Sequence, residues 1–159
     1  MKKSEIIANK YVIGKKIINA TRSYEAINKI TGQTFVVKIY EMNKISNFEF
    51  TELEERIKTI KSIRLPFIVQ IVDVVKQSSK LYVFQEFVEN GSIKPVAGLV
   101  TNRLVFNYIY QITQALLALN THNQVYCGYL ALENIYLSKQ GNLKVQMLQW
   151  RPKELLSPE

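Results

Sequence analysis

The sequence predicts an α+β protein. Short runs rich in Val, Ile, Tyr and Phe, bounded by turn residues, crowd its first half and return near its end. Two longer segments instead repeat their apolar residues at helical spacing. An apolar content of 47%, with 11% aromatics, supplies a folded core and argues against disorder.

The expected strands lie near residues 11–18 (YVIGKKII), 23–29 (SYEAINK), 33–40 (QTFVVKIY), 68–76 (IVQIVDVVK) and 80–87 (KLYVFQEF), with two more near 134–138 and 142–147. Between the third and fourth, a helix is expected over 47–63, where Leu53, Ile57, Ile60 and Ile63 recur at helical spacing and Pro66 follows the stop. A second helix is expected over 102–120, with Leu104, Tyr108, Ile112, Ala115, Leu116 and Leu119 as its buried stripe. Its other face carries Val105, Ile109 and Leu117.

A chain of 159 residues buries a core either as one domain of two lobes or as two small domains. No apolar run approaches the ~18 residues of a membrane span, and MKKSEIIANK lacks the apolar centre of a signal peptide. The single cysteine, Cys127, excludes an internal disulfide and fits a reducing compartment, so a cytoplasmic setting is expected. One His and one Cys do not build a zinc site. The net charge of +8 favours acidic partners. The basic residues are scattered, however, and Glu52, Glu54 and Glu55 interrupt them, so a solvated basic surface explains them as well. Charge without a reader motif does not specify nucleic acid.

One stretch carries more than pattern. Residues 125–137, VYCGYLALENIYL, resemble the catalytic loop of protein kinases, I-V-H-R-D-L-K-P-E-N-I-L-L. The resemblance continues in order along residues 11–149. YVIGKKI (11–17) is similar to the first strand of a kinase small lobe, and INKITGQTFVVKIY (27–40) to the second and third, where the family has V-A-I-K. RIKTIKSIRLPFIVQIVDV (56–74) resembles the end of the C-helix, the H-P-N-I-V turn and the fourth strand. KLYVFQEFVENGSI (80–93) resembles the fifth strand and hinge, LVFNYIYQITQALLALNTHNQ (104–124) the long helix before the catalytic loop, and GNLKVQML (141–148) the strand ending in D-F-G. The nearest group is the calcium/calmodulin- and AMP-dependent Ser/Thr kinases. The resemblance implies a small lobe of five antiparallel strands plus a C-helix over 1–84, and a hinge with a shortened connector over 85–101. It further implies a truncated, mainly helical remnant of the large lobe over 102–159, without activation segment or lower helices.

By the same resemblance, the positions that do chemistry have changed. The His, Arg, Asp and Lys of the catalytic loop read Cys127, Gly128, Tyr129 and Ala131. A phenol with a pKa of about 10 does not replace a carboxylate base. The phosphate loop, IINATRSYE (17–25), has none of the family's glycines; Ile18, Ala20 and Ser23 or their neighbours stand there, and the segment is short. Lys38 falls on the phosphate-pairing lysine. Counting the family's ten-residue spacing back from Pro66 lands on Arg56, not on the glutamate that would hold it, although one slipped residue would make it Glu55. A strand lysine reaching for water explains Lys38 equally well. Val36 and Tyr136 add volume where adenine would lie, so an occluded adenine pocket is expected. Asn134 is retained, but the D-F-G aspartate reads Met147, and a thioether is a poor ligand for a hard cation. A loop-capping role accounts for Asn134. Positions that pack keep their character: Ile60, Ile71, Cys127 and Leu148 fall on the family's regulatory spine.

The expectation is therefore a catalytically inactive pseudokinase with no cofactor and no metal. It would act as a scaffold in a larger protein assembly with an acidic surface, cytoskeletal or ciliary among the candidates, through Val105, Ile109 and Leu117. The alternatives are a non-catalytic nucleotide-binding module and an atypical Ser/Thr kinase. A thermal melt with millimolar ATP and Mg²⁺ separates them. No shift is expected; a regulatory site held at 100 times its Kd would add about 2.7 kcal/mol and raise the melting temperature visibly.

Overall fold

The computed structural model describes residues 5–17, 20, 22–121 and 130–149. They form two compact units, one of residues 1–50 with 70–87 and one of residues 51–69 with 88–159. Residues 51–69 group with the second unit, so the units interleave in sequence.

The first unit is built on one antiparallel sheet. Its strands are β1 (Ile6–Ile7), β2 (Tyr11–Lys16), β3 (Ser23–Asn28), β4 (Thr34–Glu41), β5 (Ile71–Gln77) and β6 (Lys80–Glu86), in the order β1-β2-β3-β4-β6-β5. Five of them are the strands read from sequence; the two-residue β1 is additional, too short to show an alternation. Gly32, at φ 70°, makes the β3–β4 turn where a side chain would be strained. Asn28 caps that turn by accepting the Ile30 and Thr31 N–H groups at 2.9 and 3.2 Å.

Alternation along β4 sends Phe35, Val37 and Ile39 to one face, where Val37 pairs with Phe84 and Ile39 with Tyr82. Ile7, Tyr11 and Ala26 complete this cluster, and Tyr11 stacks on Phe84 at 3.8 Å between ring centres with Phe35 edge-on at 5.8 Å. Such aromatic pairs add about 0.5–1.5 kcal/mol each beyond their buried area. The sheet curls until its two edges meet through side chains. Gln77 of β5 accepts the Ala8 N–H at 3.0 Å and donates to the Ile6 carbonyl at 3.3 Å. Tyr11 donates its hydroxyl to Asp73 at 2.8 Å, Lys10 pairs with the same oxygen at 3.2 Å, and Tyr82 donates to Glu5 at 2.6 Å.

α1 (Asn47–Ser62) starts on a capping box: Ser46 Oγ accepts the Glu49 N–H, and Glu49 accepts from the Ser46 N–H and hydroxyl. Leu53, Ile57 and Ile60 are buried as the periodicity requires, and Ile63 just beyond the helix is buried as well.

The second unit holds α2 (Asn102–Thr121) and the hairpin β7 (Ile135–Leu137) with β8 (Leu143–Val145). Ile93, Ile135 and Leu143 form a small core, with Tyr108 and Ile112 of α2 packed on it. α2 departs from its expected stripe at two places. Leu104 is exposed, and Gln111 is buried. A 3-10 helix, Lys94–Leu99, with Pro95 in its first turn, occupies the expected shortened connector.

Burial raises the Asp73 pKa, but the hydrogen bonds from Tyr11, Lys10 and the Val74 N–H outweigh it, so the carboxyl sits below its ordinary range. A depressed carboxyl stabilises the fold above its unfolded pKa of about 3.9, and that contribution is lost as pH falls through the lower folded value. Asp73→Asn should therefore flatten the stability profile below about pH 4, read by urea melts at stepped pH. An unchanged acid limb would contradict the role given to Asp73.

Candidate functional site

The positions that would carry phosphoryl chemistry fall in both units, each set by its own element. In the first unit, the parity that buries Phe35 and Val37 sends Val36 and Lys38 to the opposite face of β4. Val36 stands between Glu25 and Gln85, and Lys38 between Ser23 and Val83. Gln85, fully buried beside Val36, is a polar neighbour that the sequence reading did not single out. The β2–β3 connection is closed tightly by Ile17 N–H donating to Ser23 O at 2.9 Å. Ser23 is the first residue of β3 and is buried, so it belongs to the strand, not to a phosphate-cradling loop. Ile18 lies outside the described residues.

In the second unit, α1 turns Arg56 inward with Leu53, Ile57 and Ile60, while Glu54 and Glu55 are exposed. Arg56 pairs with Glu52 one turn earlier at 3.6 Å. The inward position of this helix is thus a cation, with Glu52 of the same helix as one partner.

The hairpin end of the unit holds Asn134 and Met147. Met147 and Leu148 are buried, 1% and 0% exposed, so the thioether fills core. Asn134 donates its side-chain amide to Gln149 Oε1 at 3.4 Å, and its carbonyl accepts the Gln146 N–H at 2.9 Å. Gln149 in turn donates to the Gln146 carbonyl at 2.8 Å, and Gln146 Oε1 accepts the Leu148 N–H at 3.2 Å. Amides therefore bond amides where the family would gather ligands for a divalent cation. A hard cation wants carboxylate oxygens, and the described residues at these positions offer only carboxamides and a thioether, so they do not fit magnesium. Among the described residues, no group of three or more His, Cys, Asp or Glu is placed to hold a metal.

Ala131 leads into a 3-10 turn over Leu132–Asn134, held by Asn134 N–H to Ala131 O at 2.9 Å. Tyr136 is half-buried in β7 opposite Lys144, and burial pushes its phenol up. Cys127, Gly128 and Tyr129 lie outside the described residues.

Gln111 was missed because it interrupts an apolar stripe. Its Oε1 accepts the Leu143 N–H at 2.6 Å and its Nε2 donates to Asn142 Oδ1 at 3.5 Å. It ties α2 to β8 by satisfying a backbone donor that the hairpin leaves over.

On the exposed side of α2, Val105, Ile109 and Leu117 are 40%, 55% and 49% accessible, and Phe106 and Tyr110 lie between them at 75% and 58%. Val105, Phe106, Ile109 and Tyr110 fall on successive turns along one side of the helix, and Leu117 lies two turns further on, beyond Thr113 and Gln114. No helix of the described residues is long and apolar enough to cross a membrane.

Comparison with known proteins agrees with this geometry. The sequence profile described as "Protein kinase domain" matches residues 19–146. A probable serine/threonine-protein kinase of Dictyostelium discoideum is 28% identical over 149 residues, 91% of this chain and 30% of that protein. CBL-interacting serine/threonine-protein kinase 19 of Arabidopsis thaliana is 28% identical over 145 residues, 88% of this chain and 30% of that protein. CBL-interacting protein kinase 5 of Oryza sativa subsp. japonica is 27% identical over 149 residues, 91% and 32% respectively. The chain spans about a third of the length of these relatives.

Because Met147 fills core, Met147→Asp should not create a metal site. Burying an uncompensated carboxylate there should cost several kcal/mol, whereas Met147→Leu should cost less than about 1.5. Chemical denaturation of the three proteins checks this; a Met147→Asp chain as stable as the parent and further stabilised by Mg²⁺ would contradict the packing role.

Proposed function

The chain belongs to the protein kinase domain family, related to Ser/Thr kinases of the calcium/calmodulin-dependent type, and we propose that it serves there without catalysis, as a binding module in a protein assembly. The observation that carries this reading is the pairing of two features in the second unit. At the hairpin end, where the family does its chemistry, Met147 is buried in the core and Asn134 is hydrogen-bonded to Gln149. α2 meanwhile offers solvent an apolar face of Val105, Phe106, Ile109, Tyr110 and Leu117. Scattered single apolar residues need no explanation, but Val105, Phe106, Ile109 and Tyr110 adjoin on successive turns, and contiguous exposed apolar area of this kind marks interaction surfaces.

The remaining positions support the same reading. Catalysis in this family rests on positioning and electrostatic stabilisation of the transferred phosphoryl group. Arg56 at the inward position of α1 carries a charge of the wrong sign to orient a lysine, and Val36 brings bulk where the family has alanine. Tyr129 and Ala131 replace the base and its neighbouring lysine. The partner in this proposal is a protein with an acidic surface, an assembly such as a cytoskeletal or ciliary filament. The net charge of +8 steers the encounter and the α2 face supplies the area that holds.

Pelleting of the purified chain with an acidic filament such as microtubules tests this. Binding should weaken as salt rises from low to physiological and beyond, since exposed charges are screened over about 8–10 Å at those strengths. Ile109→Asp with Leu117→Asp should cut it at least tenfold at fixed salt while leaving the melting temperature within a few degrees, because both residues are exposed. Salt-insensitive binding, or binding untouched by the double variant, would refute it.

A further inference from the structure

The first unit carries a self-complementary device that neither the family nor the proposed role requires. Residues 5–7 lie across the curled sheet and bury Ile7 completely in its aromatic cluster. They are held by the Ile13 N–H donating to Glu5 O, by Tyr82 to Glu5, and by the two bonds of Gln77 to Ile6 and Ala8. The groove they fill fits this short sequence closely, with an isoleucine socket flanked by a phenol that wants a carboxylate and an amide that wants backbone.

The connection that brings the segment back is under strain. Ala8 and Asn9 both take left-handed backbone, at φ 51° and 53°. Asparagine tolerates that region, but alanine pays for its Cβ there. The β5–β6 turn next to it, on the far side of Gln77, repeats the feature at Ser78 and Ser79, φ 50° and 58°. Opening the 8–10 turn into extended chain releases the strain at Ala8 and Asn9 and gives up the turn's own bond from the Lys10 N–H to the Ile7 carbonyl, while β1 keeps its pairing with β2 and its bonds to Tyr82 and Gln77, provided another β1 takes its place. The register allows this. Ile6 pairs with Val12 and Ile7 with Tyr11, so the pairing is centred on Asn9. Two opened chains laid antiparallel about Asn9 repeat those pairs reciprocally, as a two-fold axis demands.

We propose that the occupant of this groove can be the β1 segment of a second copy of the chain, giving a strand-exchanged homodimer. Each copy then places its own Glu5, Ile6 and Ile7 on the partner's β2, β5 and β6. A tight, strained connection is the known invitation to such exchange.

Cysteines at a registered pair report which chain supplies β1. In the full chain carrying Cys127→Ser, Ile6→Cys and Val12→Cys, oxidation of the closed form links one chain to itself, while the exchanged form links two. Non-reducing gels after refolding at high concentration should show a dimer band. Adding Asn9→Pro, which cannot take positive φ, should raise the dimer fraction severalfold. Adding Ala8→Gly with Asn9→Gly, which relieves the turn, should lower it severalfold. Only intramolecular links in all three backgrounds, or no link at all with Asn9→Pro, would overturn the proposal. So would a dimer fraction indifferent to the turn, since association would then arise elsewhere. A dimer that forms without the cross-link, and that is lost on Ile109→Asp, would assign association to α2 instead.

Discussion

Tyr11 stacked on Phe84, with Phe35 edge-on, fixes the first unit. Because side chains alternate strictly along a strand, committing Phe35, Val37 and Ile39 to that cluster decides where every other residue of β4 points. Val36 and Lys38 are sent to the opposite face as a consequence. A one-residue slip would bury a lysine and expose a phenylalanine, so packing alone suffices to hold Lys38 at its family position. Its retention needs no appeal to phosphate. The same stack sits under the segment of residues 5–7, which is why the sheet can close edge to edge through Gln77, Asp73 and Tyr82.

A similar logic runs through the second unit with different chemistry. Where a carboxylate would face a cation, Met147 and Leu148 are core. Where an asparagine would join it as a ligand, Asn134 bonds Gln149, and Gln146 ties both to the backbone. Hydrogen bonds among neutral amides satisfy polar groups at the hairpin end without gathering charge. Arg56 likewise stands at the inward position of α1 as a cation, with Glu52 of the same helix as one partner.

Much of this was legible in the residues. The β-branched and aromatic runs of β2 to β6 and the spacing of Leu53, Ile57 and Ile60 locate the elements to within a few residues, because strand and helix periods differ and each run obeys one of them. The exposed face of α2 was also readable, from a second apolar stripe opposite the first. β1 was not legible, since two residues carry no period and its stability comes from Gln77 and Tyr82, some 70 residues away in sequence. Gln111 was hidden for a related reason. A glutamine in an apolar stripe reads as surface until the hairpin's spare N–H at Leu143 is known. Leu104 erred the other way: it keeps the period of α2, but it sits in the first turn, where the helix leaves little of itself covered. Periodicity reports which face an element prefers to bury, not how far along it a neighbour extends.

In the proposed role, this kinase-family chain works by holding other proteins. Velocity sedimentation of the tagged chain in native extract, compared with Ile109→Asp/Leu117→Asp, tests that role. The parent should travel with a large assembly and the variant should fall back to small species. A parent chain that sediments near its own 18.4 kDa, or near twice that, whether or not α2 is altered, would contradict it.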